Sequence, residues 1–251
     1  MPVVVTRPAQ DALRWAAQLR ERGFDPVVLP LIAIGPAPDL QALRKVAAQA
    51  DEHAAVMFVS AHAVQGFFAA APAFSKGRAW APGPATREAL LAAGVASARI
   101  DAPAHDAGQF DSESLWQQVA GQLRPGDRLL VVRGADTEGR SQGREWLAQQ
   151  AAAAGARVAH VAAYRRELPT WSDADVQQGI RAAADGSWWL FSSSEAARNL
   201  ATLLPRQDWS RARAVATHPR IVQSVRALGF ATVLASRPAF EDVVASIESG
   251  G

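Results

Sequence analysis

The segment MFVSAHAVQGF at residues 57–67 recurs without gaps as LFSSSEAARNL at residues 190–200. In the same order along the chain, AWAPGPATREALLAAGV at residues 79–95 recurs as AVATHPRIVQSVRALGF at residues 214–230. The offsets of the two pairs, 133 and 135 residues, are nearly equal. A repeat that keeps its order and spacing indicates that the chain contains two copies of one structural unit.

Each copy alternates short apolar runs with longer segments of helical period. Four glycines, Gly23, Gly94, Gly155 and Gly229, each follow a helical segment and precede an apolar run, as C-terminal helix caps do. The pattern predicts an α/β fold with two similar lobes, each a five-stranded parallel sheet flanked by helices. The predicted strands are residues 3–5, 27–29, 55–59, 78–81, 98–100, 128–132, 158–161, 188–191, 212–216 and 231–234.

Two proline-bearing stretches, residues 31–38 and 161–169, interrupt the two copies at equivalent places and are interpreted as connectors between the lobes. The first lobe would then be discontinuous, residues 1–30 plus 170–251, and residues 39–160 would form the second lobe. The repeat alone leaves a contiguous alternative open, in which the chain divides near Pro125 and Gly126.

The composition excludes several classes of protein. There is no cysteine, so disulfides, thiolate zinc sites and cysteine nucleophiles are ruled out. The formal charge is only +2 and the arginines are scattered, which argues against a nucleic-acid partner. No apolar run approaches the ~18 residues of a membrane span, and the N-terminus has no basic leader. We therefore expect a cytoplasmic protein without a membrane partner, and a monomer.

Candidate binding residues lie in the turns that lead from a strand into a helix. In parallel sheets, ligands bind at the carboxyl ends of the strands, where helix N-termini present unpaired N–H groups. These turns are rich in hydroxyls, glycine and arginine, which suits an anionic ligand. Helix capping is the competing explanation for the serines and threonines. The turns contain Thr6, Arg7, Ser60, His62, Gly83, Ala85, Thr86, Arg133, Gly134, Ser193, Ser194, Thr217 and Arg220.

The usual motifs of cofactor and metal chemistry are absent from the sequence. None of HExxH, GxGxxG, GxxxxGK[ST] or GxSxG occurs after a predicted strand, so we expect no metal and no cofactor. Such a chain is either a binding protein or an enzyme that acts mainly by positioning its substrate. Tyr164, the only tyrosine, lies in the second connector. Its phenol could donate to a leaving hydroxyl or stack on a ring; the alternative is a packed aromatic with its OH toward water.

The sequence motifs at and between these strand-to-helix turns resemble those of the uroporphyrinogen-III synthase family along nearly the whole chain. The resemblance rests on the order and spacing of VTRP (residues 5–8), PL (30–31), FVSAHAV (58–64), GPATREAL (83–90), SESL (112–115), LLVVRG with a later GR (129–140), AYRR (163–166), FSSSEAARNL (191–200) and THPR (217–220). Two departures stand out: Thr217-His218-Pro219-Arg220 replaces a glycine-threonine turn, and Pro82 occupies a usually aliphatic position.

The resemblance implies two α/β lobes joined by a two-stranded connector, with a discontinuous first lobe. It also implies a cofactor-free lyase of heme biosynthesis whose small-molecule tetrapyrrole substrate is hydroxymethylbilane, closed to uroporphyrinogen III with inversion of ring D. The family's binding turns fall on Thr6, Arg7, Ser60, Gly83, Ala85, Thr86, Arg133, Ser193 and Ser194, and its connector tyrosine falls on Tyr164 as the catalytic candidate. The rival hypotheses are a two-lobed small-ligand binding or sensor protein and an inactive paralogue.

Overall fold

The computed structural model describes residues 1–70, 76–103, 112–135 and 145–250, and the chain divides into two units. Unit 1 comprises Met1–Ala33 and Glu167–Gly251, and unit 2 comprises Ile34–Arg166. Residues 136–140, which include the GR pair of the family resemblance, lie outside the described residues. The two predicted connectors are divided between the units: residues 34–38 and 161–166 belong to unit 2, and residues 31–33 and 167–169 belong to unit 1.

Strands and helices alternate through most of the described chain. The strands are β1 (Pro2–Val5), β2 (Asp25–Val28), β3 (Ala33–Gly35), β4 (Ala55–Phe58), β5 (Arg78–Trp80), β6 (Ile100–Asp101), β7 (Arg128–Ala135), β8 (Arg157–Glu167), β9 (Trp188–Phe191), β10 (Arg213–Ala216) and β11 (Thr232–Ala235). The helices are α1 (Ala9–Glu21), α2 (Leu40–Ala48), α3 (Ala61–Ala70), α4 (Pro84–Ala92), α5 (Ser112–Val119), α6 (Glu145–Ala153), α7 (Asp173–Ala182), α8 (Ser194–Leu203), α9 (Pro219–Arg226) and α10 (Phe240–Ser249).

The sheets of the two units have equivalent strand orders. Unit 1 contains a five-stranded parallel sheet in the order β11-β10-β9-β1-β2, and unit 2 contains the order β3-β8-β7-β4-β5-β6. The run β4-α3-β5-α4 corresponds to β9-α8-β10-α9, which are the elements of the sequence repeat. All four predicted cap glycines have positive φ, between 78° and 97°. The α/β prediction and the repeat are confirmed.

The predicted strand count of the second lobe is wrong, because its sheet has six strands and is mixed. The additional strand is β3, from the stretch interpreted as the first connector, and it lies beside β8. β8 itself runs from Arg157 to Glu167, well beyond the predicted residues 158–161. Tyr164 is therefore a strand residue of unit 2. The predicted strand at 98–100 begins late, since Ser97–Arg99 form a 3₁₀ turn.

Helices cover both faces of each sheet. Side chains on either face of a strand are therefore buried, although successive residues point to opposite faces. In β4, Val56 and Phe58 pack in the cluster that contains Phe67 of α3, whereas Ala55 and Met57 pack in the cluster that contains Leu147 of α6. In unit 1, Val3, Val5, Trp188 and Leu190 pack with residues of α1 and α10. On β9, Trp189 and Phe191 join an aromatic cluster with Trp209 and Phe230. The strand ends are therefore held by packing on both sides.

Within the part of the chain that the structure describes, no helix combines the length and apolarity that crossing a membrane requires.

Candidate functional site

All fourteen predicted site residues lie in the described part of the chain, and they form two sets at the carboxyl ends of the strands. In unit 1 the turns follow β1, β9 and β10, which are neighbours in the sheet. In unit 2 the residues follow β4 and β5 or lie near the ends of β7 and β8, which are also neighbours. The unit 1 set is Thr6, Arg7, Ser193, Ser194, Thr217 and Arg220. The unit 2 set is Ser60, His62, Gly83, Ala85, Thr86, Arg133, Gly134 and Tyr164.

The centre of the unit 2 set is a contact between two hydroxyls. Ser60 Oγ and Tyr164 OH lie 3.2 Å apart, and either atom could be the donor. The backbone N–H of Ala63 also donates to Ser60 Oγ, over 3.2 Å, so Ser60 caps α3 as well. The ring of His62 lies 5.7 Å from that of Tyr164, centroid to centroid. Tyr164 is only 4% exposed and packs in the same apolar cluster as Phe67 and Val161, so its side chain does not extend into water.

Gly134 lies opposite Tyr164 across the β7–β8 ladder, immediately after a register shift between Arg133 and Gly134. A Cβ on Gly134 would come within 2.5 Å of Tyr164 Cζ and 2.8 Å of its OH. The glycine therefore makes room for the phenol ring. Arg133 is itself buried, with 7% of its surface exposed. Gly134 was predicted as a binding residue. The structure gives it a packing role, because the absence of a side chain leaves space for the Tyr164 ring.

Gly66 is a further site residue that sequence reasoning missed. A Cβ there would come 2.1 Å from the carbonyl oxygen of Ala163, the residue before Tyr164. Because only glycine permits this approach, α3 lies directly against the backbone of β8. This close packing sets the distance between Ser60, at the start of α3, and the tyrosine. The signal available in the sequence was a glycine inside a helical pattern.

The turn between β5 and α4 presents backbone amides. Gly83 is the N-cap residue, in an extended conformation, and no side chain caps the helix. Pro84 occupies the first helical turn, where a missing N–H costs nothing. Ala85 is exposed and Thr86 is buried, with 5% of its surface accessible. The positive end of the α4 dipole is thus available at this edge of the sheet.

Several unit 1 residues have structural partners. Thr6 is buried and its Oγ1 donates to the carbonyl of Leu190, which ties β1 to β9. Ser193 caps α8, accepting from the N–H of Glu195 over 3.2 Å. His218 caps α9 in the same way, its Nδ1 accepting from the N–H of Arg220 over 3.2 Å. Capping therefore accounts for Ser193 and His218, and the Thr6 hydroxyl is already occupied.

The side chain of Arg7 is held by an aromatic ring and not by a helix cap. Its guanidinium carbon lies 4.0 Å from the centroid of the Trp15 ring, over the face of the indole. Burial lowers the pKa of Arg7, and the attraction of Asp11 partly opposes this shift. Arg7 lines a shallow, narrow pocket together with Trp15 and Thr217. Ser194 and Arg220 lie outside this lining, Ser194 half-buried and Arg220 exposed.

Across the described ranges, no three histidine, aspartate or glutamate side chains are grouped closely enough to hold a metal ion.

Two α/β units whose strand ends carry helix-start hydroxyls, glycines and a desolvated arginine define a class of protein that can bind an anionic small molecule at helix N-termini. A sequence model of uroporphyrinogen-III synthase HemD matches residues 14–245. The chain therefore belongs to the uroporphyrinogen-III synthase family, a family of enzymes of heme and tetrapyrrole biosynthesis. The resemblance identified from the turns is confirmed.

Solved structures share the fold. Uroporphyrinogen-III synthetase from Helicobacter pylori is 12% identical, with a TM-score of 0.60 over 100% of both chains. A mutant uroporphyrinogen III synthase from the extremely thermophilic bacterium Thermus thermophilus is 16% identical, with a TM-score of 0.53 over 98% of both chains. At such low identity these similarities support the two-unit α/β architecture alone.

Proposed function

We propose that this protein is an active uroporphyrinogen-III synthase, a lyase that cyclises and dehydrates hydroxymethylbilane with inversion of ring D to give uroporphyrinogen III. The observation that carries the proposal is the family match across residues 14–245. The strand-end turns that resemble the family's binding turns are supporting observations. The substrate is a flexible chain of four pyrroles bearing eight carboxylates, so it calls for many weak anion contacts spread over a large surface.

The proposed substrate contacts are of two kinds. Backbone amides at the starts of α3, α4, α8 and α9 would bind carboxylates at the positive ends of the helix dipoles. Guanidinium groups would bind carboxylates bidentately. The amide set at these helix starts comprises Ser60, His62, Gly83, Ala85, Thr86, Ser193, Ser194 and Thr217. Gly134 would offer its backbone from the end of β7, and the guanidinium set comprises Arg7, Arg133 and Arg220. The thirteenth predicted contact, Thr6, would act by holding the β1 turn in place, because its hydroxyl bonds Leu190.

The first chemical step in the proposal is departure of the terminal hydroxyl. In this step the phenol of Tyr164 donates to Ser60 Oγ while the Ser60 O–H donates to the leaving oxygen. Ser60 Oγ can do this because it accepts from Ala63 N–H and faces Tyr164 OH at 3.2 Å. The C–O bond breaks, water leaves with the delivered proton, and the terminal ring becomes an azafulvene. Ser60 is less buried than Tyr164, which favours Ser60 as the hydroxyl that meets the substrate.

The remaining steps require positioning more than chemical groups. The substituted carbon of ring D attacks the azafulvene to form a spiro intermediate, and the bond between ring D and its original bridge then breaks. The released bridge carbon joins the free carbon of ring D, which loses a proton as the ring closes. That proton balances the one delivered to the leaving hydroxyl, so the net loss is one water. A protein that holds the bilane in one conformation supplies most of what these steps need.

The test is an incubation of the purified protein with freshly made hydroxymethylbilane, followed by oxidation and chromatographic separation of the I and III isomers. Without the enzyme, the bilane closes to the I isomer. We expect predominantly III isomer above that spontaneous background. Only I isomer, from folded protein, would reject the proposed activity and favour a ligand-binding role.

A further inference from the structure

Two consecutive backbone carbonyls just after β2 are bound by side chains from distant parts of unit 1. β2 is the last strand in the order β11-β10-β9-β1-β2, so among the described strands of this sheet only β1 lies beside it. The indole N–H of Trp171 donates to the carbonyl of Pro30 over 2.9 Å. The side-chain Nδ2 of Asn199 donates to the carbonyl of Leu31 over 2.7 Å. Both carbonyls therefore have donors that the sheet does not supply.

Asn199 is connected to the turn after β1 through Leu31. Leu31 is fully buried, and its N–H donates to the carbonyl of Thr6 over 3.0 Å. The hydroxyl of Thr6 donates in turn to the carbonyl of Leu190, one residue before the end of β9. β9 leads through the Ser193 cap into α8, the helix that contains Asn199. Hydrogen bonds and chain therefore form a closed ring that braces the turn after β1 against the turn after β9.

The hydrogen bond from Trp171 does not continue in this way. Pro30 has no N–H, so it accepts from the indole and cannot donate to β1. Leu31, the next residue, both accepts from a side chain and donates to Thr6. Of the two neighbouring carbonyls, only that of Leu31 belongs to a residue bonded to a proposed substrate-binding turn.

Asparagine is an unfavourable residue for this position in α8. Asn199 lies in the interior of the helix, where its short amide side chain competes for backbone hydrogen bonds and stabilises less than alanine or leucine. A carbonyl oxygen can only accept, so the group that faces Leu31 is the NH2 of the amide. The contact with Leu31, and not the helix, is therefore what the asparagine serves.

We propose that Asn199 is a positioning residue that fixes the spacing between the two turns, after β1 and after β9, at which unit 1 binds carboxylates of the substrate. Without its amide, the buried carbonyl of Leu31 loses its donor, and Leu31 no longer holds the Thr6 carbonyl in one place. The donors of the two turns then meet the substrate at a changed spacing, which weakens their contacts. The inference rests on the proposed function for the identity of the ligand.

Hydrogen exchange followed by NMR tests the bracing without any substrate. The N–H of Leu31 reports its bond to Thr6, and the N–H of Ala231, which bonds the backbone at the β10–β11 end of the sheet, is the reference. In Asn199→Ala, the protection of Leu31 relative to Ala231 should fall roughly two- to tenfold, the effect of one lost hydrogen bond. Trp171→Phe removes the donor to the neighbouring carbonyl and should leave this ratio unchanged.

Steady-state kinetics with hydroxymethylbilane give the second readout. Asn199→Ala should raise KM roughly three- to tenfold and change kcat by less than about twofold, because the turns contribute binding of the substrate and not a reacting group. Trp171→Phe loses a hydrogen bond of the same kind, so it controls for stability, and its KM should stay within about twofold of the wild type. Asn199→Asp keeps the shape of the side chain but replaces the donor by an acceptor, and it should behave like Asn199→Ala.

Equal effects of Asn199→Ala and Trp171→Phe on the exchange ratio or on KM would overturn the proposal, because both variants would then report stability alone. A lower kcat at unchanged KM in Asn199→Ala would also overturn it. If Asn199→Ala does not fold, the isosteric Asn199→Asp decides by the same two measurements. If the wild-type protein forms no III isomer, the proposed function fails, and hydrogen exchange still decides whether Asn199 holds Leu31 in place.

Discussion

Gly134→Ala is the substitution whose effect the structure defines most sharply. The new Cβ would lie 2.5 Å from Tyr164 Cζ, about 0.9 Å short of the 3.4 Å at which ordinary contacts begin. The ring is buried, so it cannot withdraw into solvent. A displacement of that size would stretch the Ser60–Tyr164 contact from 3.2 Å beyond hydrogen-bond length.

The expected cost follows from two opposing effects. Overpacking a filled site destabilises by about 1–3 kcal/mol, and the lost hydrogen bond contributes about 0.5–1.5 kcal/mol. Replacing glycine by alanine also restricts the unfolded chain, which opposes the loss by about 0.4–1 kcal/mol. We therefore expect the free energy of unfolding to fall by roughly 0.5–4 kcal/mol, with a fall in kcat because the phenol no longer reaches Ser60.

Urea denaturation measures the stability change, and Gly121→Ala is the matched control, because its Cβ would meet nothing within 4 Å. The control should lie within about 0.5 kcal/mol of the wild type. In a Tyr164→Ala background the steric partner is gone, so Gly134→Ala should cost little there. Equal effects of the two glycine substitutions, or additivity with Tyr164→Ala, would refute the steric reasoning.

Three further predictions concern single side chains. Tyr164→Phe should lower turnover roughly ten- to a hundredfold without abolishing it, since the bilane loses water readily; an unchanged rate of III-isomer formation would remove the phenol from the mechanism. Trp171→Phe removes the indole donor to the Pro30 carbonyl at 2.9 Å and should cost about 1 kcal/mol in urea unfolding, whereas Trp146→Phe, at an exposed position, should cost less than about 0.5 kcal/mol. Burial lowers the pKa of His53 below 6.5, so the folded state favours the neutral ring, and stability should be complete above pH 6.5 and decline as the pH falls through the lowered pKa. His53→Asn should remove that part of the pH dependence, and an identical pH profile for the two proteins would contradict it.

Much of the fold could be predicted from local patterns. The period of the apolar residues and the glycines at helix ends are properties of short segments, and both copies of the repeat contain them. The strand-to-helix turns could likewise be located, because parallel sheets place them at one edge. This reasoning found the start of α3 at Ser60 and the start of α8 at Ser193, and the structure confirms both as cap residues.

Strand pairing limited what local patterns could predict for the second sheet. The three-residue strand β3 gave no signal of its own, since its place depends on the neighbouring β8. The prolines on either side of β3, Pro30, Pro36 and Pro38, and the shortness of the segment favoured a connector. In the structure this extended segment forms the sixth strand of the sheet. Pairing between segments more than a hundred residues apart is not contained in either segment's composition.

For the candidate site, the sequence by itself determined which residue types stand at the strand ends, because turn chemistry is local. Only the tertiary structure decided what those residues meet. Tyr164 reaches Ser60 across 104 residues of chain, and Gly134 is opposite the tyrosine because of a register shift in β7. The Thr6 hydroxyl donates to the Leu190 carbonyl, while the guanidinium of Arg7 beside it lies over the face of Trp15. Burial and partner identity arise when distant segments pack together, so no window of sequence could assign them.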